Sequence, residues 1–204
     1  MAVKTMKQPL KKRRVRGAMR PFKPGDIRAL ETRLANEERW RDLALLRLGV
    51  DTLLRASDLV RICIDEVLDH HNDVVARGEI VMKKTQKPIK FTLSADTKLA
   101  VERWVALRPA FSGEWLFPGR ENGDHLSEVQ YRKIVKRWVG MLGLDPKHYS
   151  THSLRRTKAA ELYRQTHNLK AVSILLGHTD TNVTSRYLGI EQADALDLAD
   201  KVRI

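Results

Sequence analysis

The 204-residue chain predicts a mixed α+β domain, mainly helical, with a small three-stranded antiparallel sheet between two groups of helices. Three observations predict this class. Residues 26–60 and 94–187 place apolar side chains at helical spacing. Residues 60–93 change to β-branched and alternating runs. Capping residues, glycines and prolines fall at the joins between these patterns.

Residues 1–25 contain nine Lys or Arg and no acid, and they close on Pro21-Phe22-Lys23-Pro24-Gly25. They read as a disordered basic arm ahead of a folded domain over 26–204. The formal charge is +13, of which the arm holds +9 and the rest +4. A basic arm on a mildly basic globule suits a polyanion, and an arm without an apolar face suits nucleic acid better than a membrane. A merely solvated tail or a transit peptide are the plainer alternatives.

Asp26 is placed to cap a helix carrying Ile27, Leu30 and Leu34 on one face. A second helix over 37–50 presents Trp40, Leu43, Leu46 and Leu48, and Ser57 is positioned to cap a short third one through Val60. The β-branched runs 60–67 and 73–82 and the alternating 89–93 are the three expected strands. The tightest connection, 83–88, holds Lys83, Lys84 and Lys87. Helical spacing resumes after Ser94 with Leu99, Val101, Trp104, Val105 and Leu107. Ser127-Glu128-Val129-Gln130 matches a capping box opening a helix through Trp138 and Leu142. Further helices are expected after Thr151, after Asn168 and, capped by Asp180, toward Tyr187. Beyond Gly189, Ala195, Leu198 and Val202 recur at helical spacing.

The single Cys63 excludes an internal disulfide and a multi-cysteine zinc cluster, and fits a reducing, cytoplasmic setting. The longest apolar stretch, 43–54, is interrupted by Arg47 and Asp51, so no membrane span is expected.

The chemistry concentrates between residues 152 and 187. His152 and Arg155 are three apart and share a helix face, and Ser150 or Thr151 can cap that helix. An imidazole and a guanidinium can then converge beside a helix N-terminus that already favours an anion. Leu176-Gly177-His178 follows at a helix end, and Tyr187 lies nine residues beyond that histidine. Taken singly, each has a plainer reading: a surface pair, a histidine beside a helix C-terminus, a packed ring with a wet hydroxyl. Taken together, they are fixed cations, proton carriers and a nucleophile, the set a phosphodiester requires.

The order and spacing of these groups resemble the tyrosine recombinase (phage integrase) family over residues 26–204. The resemblance rests on Arg55 in Leu54-Arg55-Ala56-Ser57-Asp58-Leu59, Lys84 in the expected hairpin, His152 with Arg155, Leu176-Gly177-His178, and Tyr187. It implies an integrase-like catalytic domain in which Arg55, Lys84, His152, Arg155, His178 and Tyr187 are catalytic, Tyr187 being the nucleophile. It further implies a supporting role for Asp58, cleavage through a 3′-phosphotyrosyl bond, and no metal or cofactor. The implied partner is double-stranded DNA, gripped by a homo-tetramer on two sites. The tail after Gly189 either closes its own core or docks on a neighbouring protomer. DNA contacts are expected from Lys11, Lys12, Arg13, Arg14 and Arg16 of the arm and from Lys83, Lys87 and Arg156. Two departures stand out. Leu54 occupies a position usually held by glycine, and a basic stretch of some 25 residues stands where most members carry a helical core-binding domain, as in short recombinases of the fimbrial-switch type. Other readings are a type IB topoisomerase, a non-catalytic DNA-binding factor and an RNA-binding protein.

Overall fold

The computed structural model describes residues 19–109, 113–119 and 123–189. Its first helix, α1 (Pro24–Asn36), begins two residues before the expected cap. Pro24 opens it because a first-turn residue needs no N–H partner, and Asp26 serves from inside, its carboxylate accepting the Lys23 N–H at 2.9 Å. Ile27, Leu30 and Leu34 face the core as their spacing requires.

The folded unit also reaches back into the last residues of the expected arm. Phe22 is buried against Tyr149, and its N–H donates to Thr157 Oγ1 at 2.9 Å. One large ring with a core to enter outweighs the flanking Pro and Lys composition.

Helix α2 (Trp40–Asp51) is buried on nearly every side and packs on α1, on α4 (Ala95–Leu107) and on α6 (Thr151–Thr166). Asp51 at its end joins three elements. One carboxylate oxygen accepts from Ser94 N and Thr97 Oγ1, and the other accepts from Lys158 Nζ at 2.8 Å. Helix α3 (Ala56–Leu59) follows, with Arg55 rather than Ser57 at its N-cap.

Among the described residues the sheet has two strands, not three. β1 (Arg77–Val81) pairs antiparallel with β2 (Pro88–Thr92), Arg77 opposite Thr92 and Val81 opposite Pro88. The expected strand over 60–67 is the turn that follows α3, a single antiparallel bridge between Cys63 and Trp115, and a 3-10 turn, Ile64–Glu66. A local bond competes with a ladder there: the Glu66 carboxylate takes the Cys63 N–H at 2.7 Å. Val60, Ile62 and Val67 still reach the core, and the backbone of Ile62 and Ile64 pairs with residues 116 and 114, but the pairing stops after one bridge. The hairpin rests on this turn through Gly78, where an added Cβ would stand 2.7 Å from the Glu66 carbonyl oxygen.

Helix α5 (Glu128–Met141) has the expected Ser127 and Gln130 capping box. The remaining helices, α6, α7 (Leu169–Leu175) and α8 (Thr181–Leu188), are capped by the side chains of Ser150, Asn168 and Asp180. Leu99 and Leu107 of α4 are exposed, because α4 turns Thr97, Ala100 and Val101 inward instead.

Candidate active site

Four segments meet at the site: the α3 N-terminus, the base of the hairpin, the first two turns of α6, and the turn joining α7 to α8. Each arrives for a local reason. Leu53 takes a left-handed backbone (φ 57°) that turns the chain from α2 into α3, with its side chain buried against Ala159, Val172 and Leu176. That unusual conformation falls at Leu53 and not at Leu54, so a side chain at Leu54 carries no backbone penalty. The turn delivers Arg55 to the pocket, where its Nη1 donates to Met82 Sδ at 3.1 Å. Asp58, one turn on and 3% exposed, accepts the Lys83 N–H at 2.9 Å and so anchors the hairpin to α3.

Arg155 is 5% exposed, with Nη2 donating to the Leu176 carbonyl and Nε buried without a partner. A buried guanidinium with an unmatched donor is a site built for an anion. Burial first, and then the charge of Arg55, pulls Arg155 down to about 10.

Gly177 makes the α7–α8 turn with φ 61°, and a Cβ there would lie 3.1 Å from both Met82 and Ile89. This contact seats the turn on the hairpin. His178 follows, its Nδ1 2.9 Å from Thr184 Oγ1, which leaves Nε2 for the pocket. Desolvation and the charges of Arg155 and Arg55 depress His178 to about 4. His152 is lowered by the same causes in the same order. Both rings are therefore pushed toward the neutral form.

Tyr187 lies across this group. Its hydroxyl donates to the His152 carbonyl at 3.4 Å, its ring meets His178 edge-on at 5.9 Å, and the Arg156 guanidinium sits 5.2 Å over its face. Burial pushes the phenol up to about 12 against the opposing pull of Arg155, Arg156 and Arg55. Arg55, His152, Arg155, His178 and Tyr187, up to 132 positions apart in the chain, thus share one electrostatic environment.

The Phage integrase family profile matches residues 22–193. The chain belongs to the phage integrase family. It is 31% identical over 152 residues to tyrosine recombinase XerC of Neisseria gonorrhoeae, covering 74% of this chain and 48% of that protein. Tyrosine recombinase XerD of Brucella suis is 31% identical over 171 residues, covering 79% and 54%. The chain thus spans about half the length of the curated relatives it matches. In fold, the XerA recombinase crystal structure superposes with a TM-score of 0.74 at 15% identity, over 90% of this chain and 66% of that one. The post-cleavage complex of XerH recombinase with its difH substrate superposes at 0.70 and 20% identity, over 90% and 53%.

Within this integrase fold the remaining expected residues are placed differently. Lys84 is exposed in the hairpin turn, and no contact among the described residues ties it to the other five. Lys83 and Lys87 are exposed beside it. Arg156, expected as a DNA contact, is 8% exposed, with its guanidinium over the Tyr187 ring. Lys11, Lys12, Arg13, Arg14, Arg16 and the tail positions Ala195, Leu198 and Val202 lie outside the described residues. Sequence reasoning missed Met82 and Thr184, which touch Arg55 and His178. Neither has a local signal, since a thioether and a hydroxyl at those positions gain meaning only from distant partners. No described helix is long and apolar enough to cross a membrane.

Proposed function

We propose that the chain is the catalytic domain of a site-specific DNA recombinase that cuts and rejoins DNA through a 3′-phosphotyrosyl intermediate. The observation carrying this is the Tyr187 hydroxyl on the His152 carbonyl, in a site where the charges of Arg55 and Arg155 act together on His152, His178 and Tyr187. The Tyr187 oxygen attacks the phosphorus, the bond to the 5′-oxygen breaks, and the new phosphotyrosyl bond retains the energy for rejoining. The phenol proton passes to His152, whose imidazole burial and the charges of Arg155 and Arg55 push toward the neutral, proton-accepting form. Arg55 and Arg155 hold the non-bridging oxygens and the charge that builds on them. In the tautomer whose Nδ1 accepts from the Thr184 hydroxyl, His178 carries its proton on Nε2 and donates it to a phosphate oxygen. Lys84, on the exposed turn, folds in over the bound strand and protonates the leaving 5′-oxygen. Asp58 keeps the hairpin within reach.

Double-stranded DNA is the partner, with four copies on two sites coupled through their C-terminal tails, and the basic residues 11–16, Lys83 and Lys87 gripping the backbone. Two guanidiniums and an ammonium take the electrostatic part that metal ions play in other nucleases.

The test is a nicked suicide duplex. Wild type should form a covalent adduct visible on a denaturing gel, in EDTA as well as in magnesium. Tyr187→Phe should form none while retaining DNA affinity. An adduct surviving in Tyr187→Phe would assign the wrong nucleophile, and DNA binding without any adduct would make the chain a binding protein only.

A further inference from the structure

The geometry points to Arg156 as a positioning residue for the nucleophile: its guanidinium holds the Tyr187 ring from one face and favours the ring's ionised form, without contacting the phosphate. The inference rests on the recombinase reading above.

Arg156 follows Arg155 on α6 and so points about 100° around the helix from it. That rotation takes its charge away from the anion pocket and onto the ring of Tyr187, 5.2 Å from guanidinium carbon to ring centroid, within cation–π range. It is 8% exposed, and its Nε is buried with no hydrogen-bond partner. Among the described residues no carboxylate pairs with it within salt-bridge distance. A buried guanidinium gains from negative charge placed against it, and a ring about to become a phenolate supplies such charge at its face. The opposite constraint comes from His178, edge-on at 85°. Face and edge contacts together fix the ring plane, leaving the hydroxyl aimed along the His152 backbone. Arg156 is also among the charges that pull the phenol downward against burial. Its effect grows as the proton leaves, because charge spreading into the ring strengthens the cation's attraction.

The experiment compares wild type with Arg156→Met, which keeps the bulk and removes the charge, and Arg156→Lys, which keeps the charge. Tetranitromethane attacks phenolate, so nitration of Tyr187, located by peptide mass and referenced to Tyr149, reads ionisation without DNA. The expected result is nitration slowed several-fold in Arg156→Met and near wild type in Arg156→Lys. On the suicide duplex, Arg156→Met should form adduct about tenfold more slowly at neutral pH, the deficit narrowing as pH rises, with DNA affinity within twofold of wild type. Nitration that is unchanged or faster would overturn the proposal, since an arginine that merely covers the ring protects it. Weakened DNA binding with unchanged nitration would also overturn it, returning Arg156 to the phosphate. If Arg156→Met does not fold, Arg156→Lys decides alone: near-normal nitration supports a charge effect and a tenfold loss refutes it. A wild type that forms no adduct would defeat the recombinase reading while leaving the nitration comparison to decide the role of Arg156.

Discussion

Replacing Arg155 with methionine should abolish cleavage and yet leave the free protein as stable as wild type or more so. An ordinary guanidinium titrates above about 12. Held at about 10 by burial and by Arg55, Arg155 has its charged form disfavoured by about 3 kcal/mol in the folded state. The sign follows from proton binding: a cation with a depressed folded pKa is bound more weakly by the native state. The penalty is therefore fully present at neutral pH and is relieved only above about 10. Methionine removes that penalty, but leaves the Leu176 carbonyl without its donor, which costs about 1–3 kcal/mol. The balance lies between parity and about 2 kcal/mol of stabilisation. Cleavage should fall by at least two to three orders of magnitude, because one preorganised donor alone is worth about 3 kcal/mol in a transition state. Urea denaturation with and without inorganic phosphate tests the first claim. Phosphate should stabilise wild type by supplying the missing counter-charge and should leave Arg155→Met unaffected. A variant more than about 2 kcal/mol less stable than wild type, or an equal phosphate response in both proteins, would refute the reasoning.

Three further outcomes follow from the same geometry. Gly177→Ala combines a left-handed backbone with a Cβ 3.1 Å from Met82 and Ile89; it should cost about 1–2 kcal/mol in denaturation and slow cleavage by moving Met82 against Arg55. His178, depressed to about 4, should lose the protein stability as pH falls from about 6.5 toward 4, because the unfolded chain takes up a proton there that the native state refuses; His178→Asn should flatten that limb of the stability curve. Burial works against the Asp51 charge, but hydrogen bonds from Lys158, Ser94 and Thr97 outweigh it and hold its carboxyl below the usual range. Asp51→Asn should therefore cost about 1.5–3 kcal/mol near neutrality. That difference should shrink as pH falls below the ordinary carboxylate value and the wild-type group is protonated, which thermal melts at several pH values would follow.

Most of the helices were legible because their signals are local. The capping box at Ser127 and Gln130, the caps at Ser150, Asn168 and Asp180, and the Ile27, Leu30, Leu34 stripe each act within one or two turns of their own helix. The third strand failed for the converse reason. Val60, Ile62 and Val67 carry the composition of a strand, yet whether their backbone groups meet a ladder depends on Glu66 and on the distant 114–116 segment. Within the site, helix spacing paired His152 with Arg155, and the resemblance to the integrase family is what joined Arg55, His178 and Tyr187 to them. Tertiary structure decided what surrounds them. Arg156 faces a ring and not solvent because α8 packs on α6, Arg55 is steadied by a methionine from the hairpin, and Lys84 stands apart because its turn extends beyond the packed core. Periodicity and caps act over a few residues and so can be read along the chain. Burial, charge and pKa arise from groups up to 132 positions apart, and exist only once the helices have met.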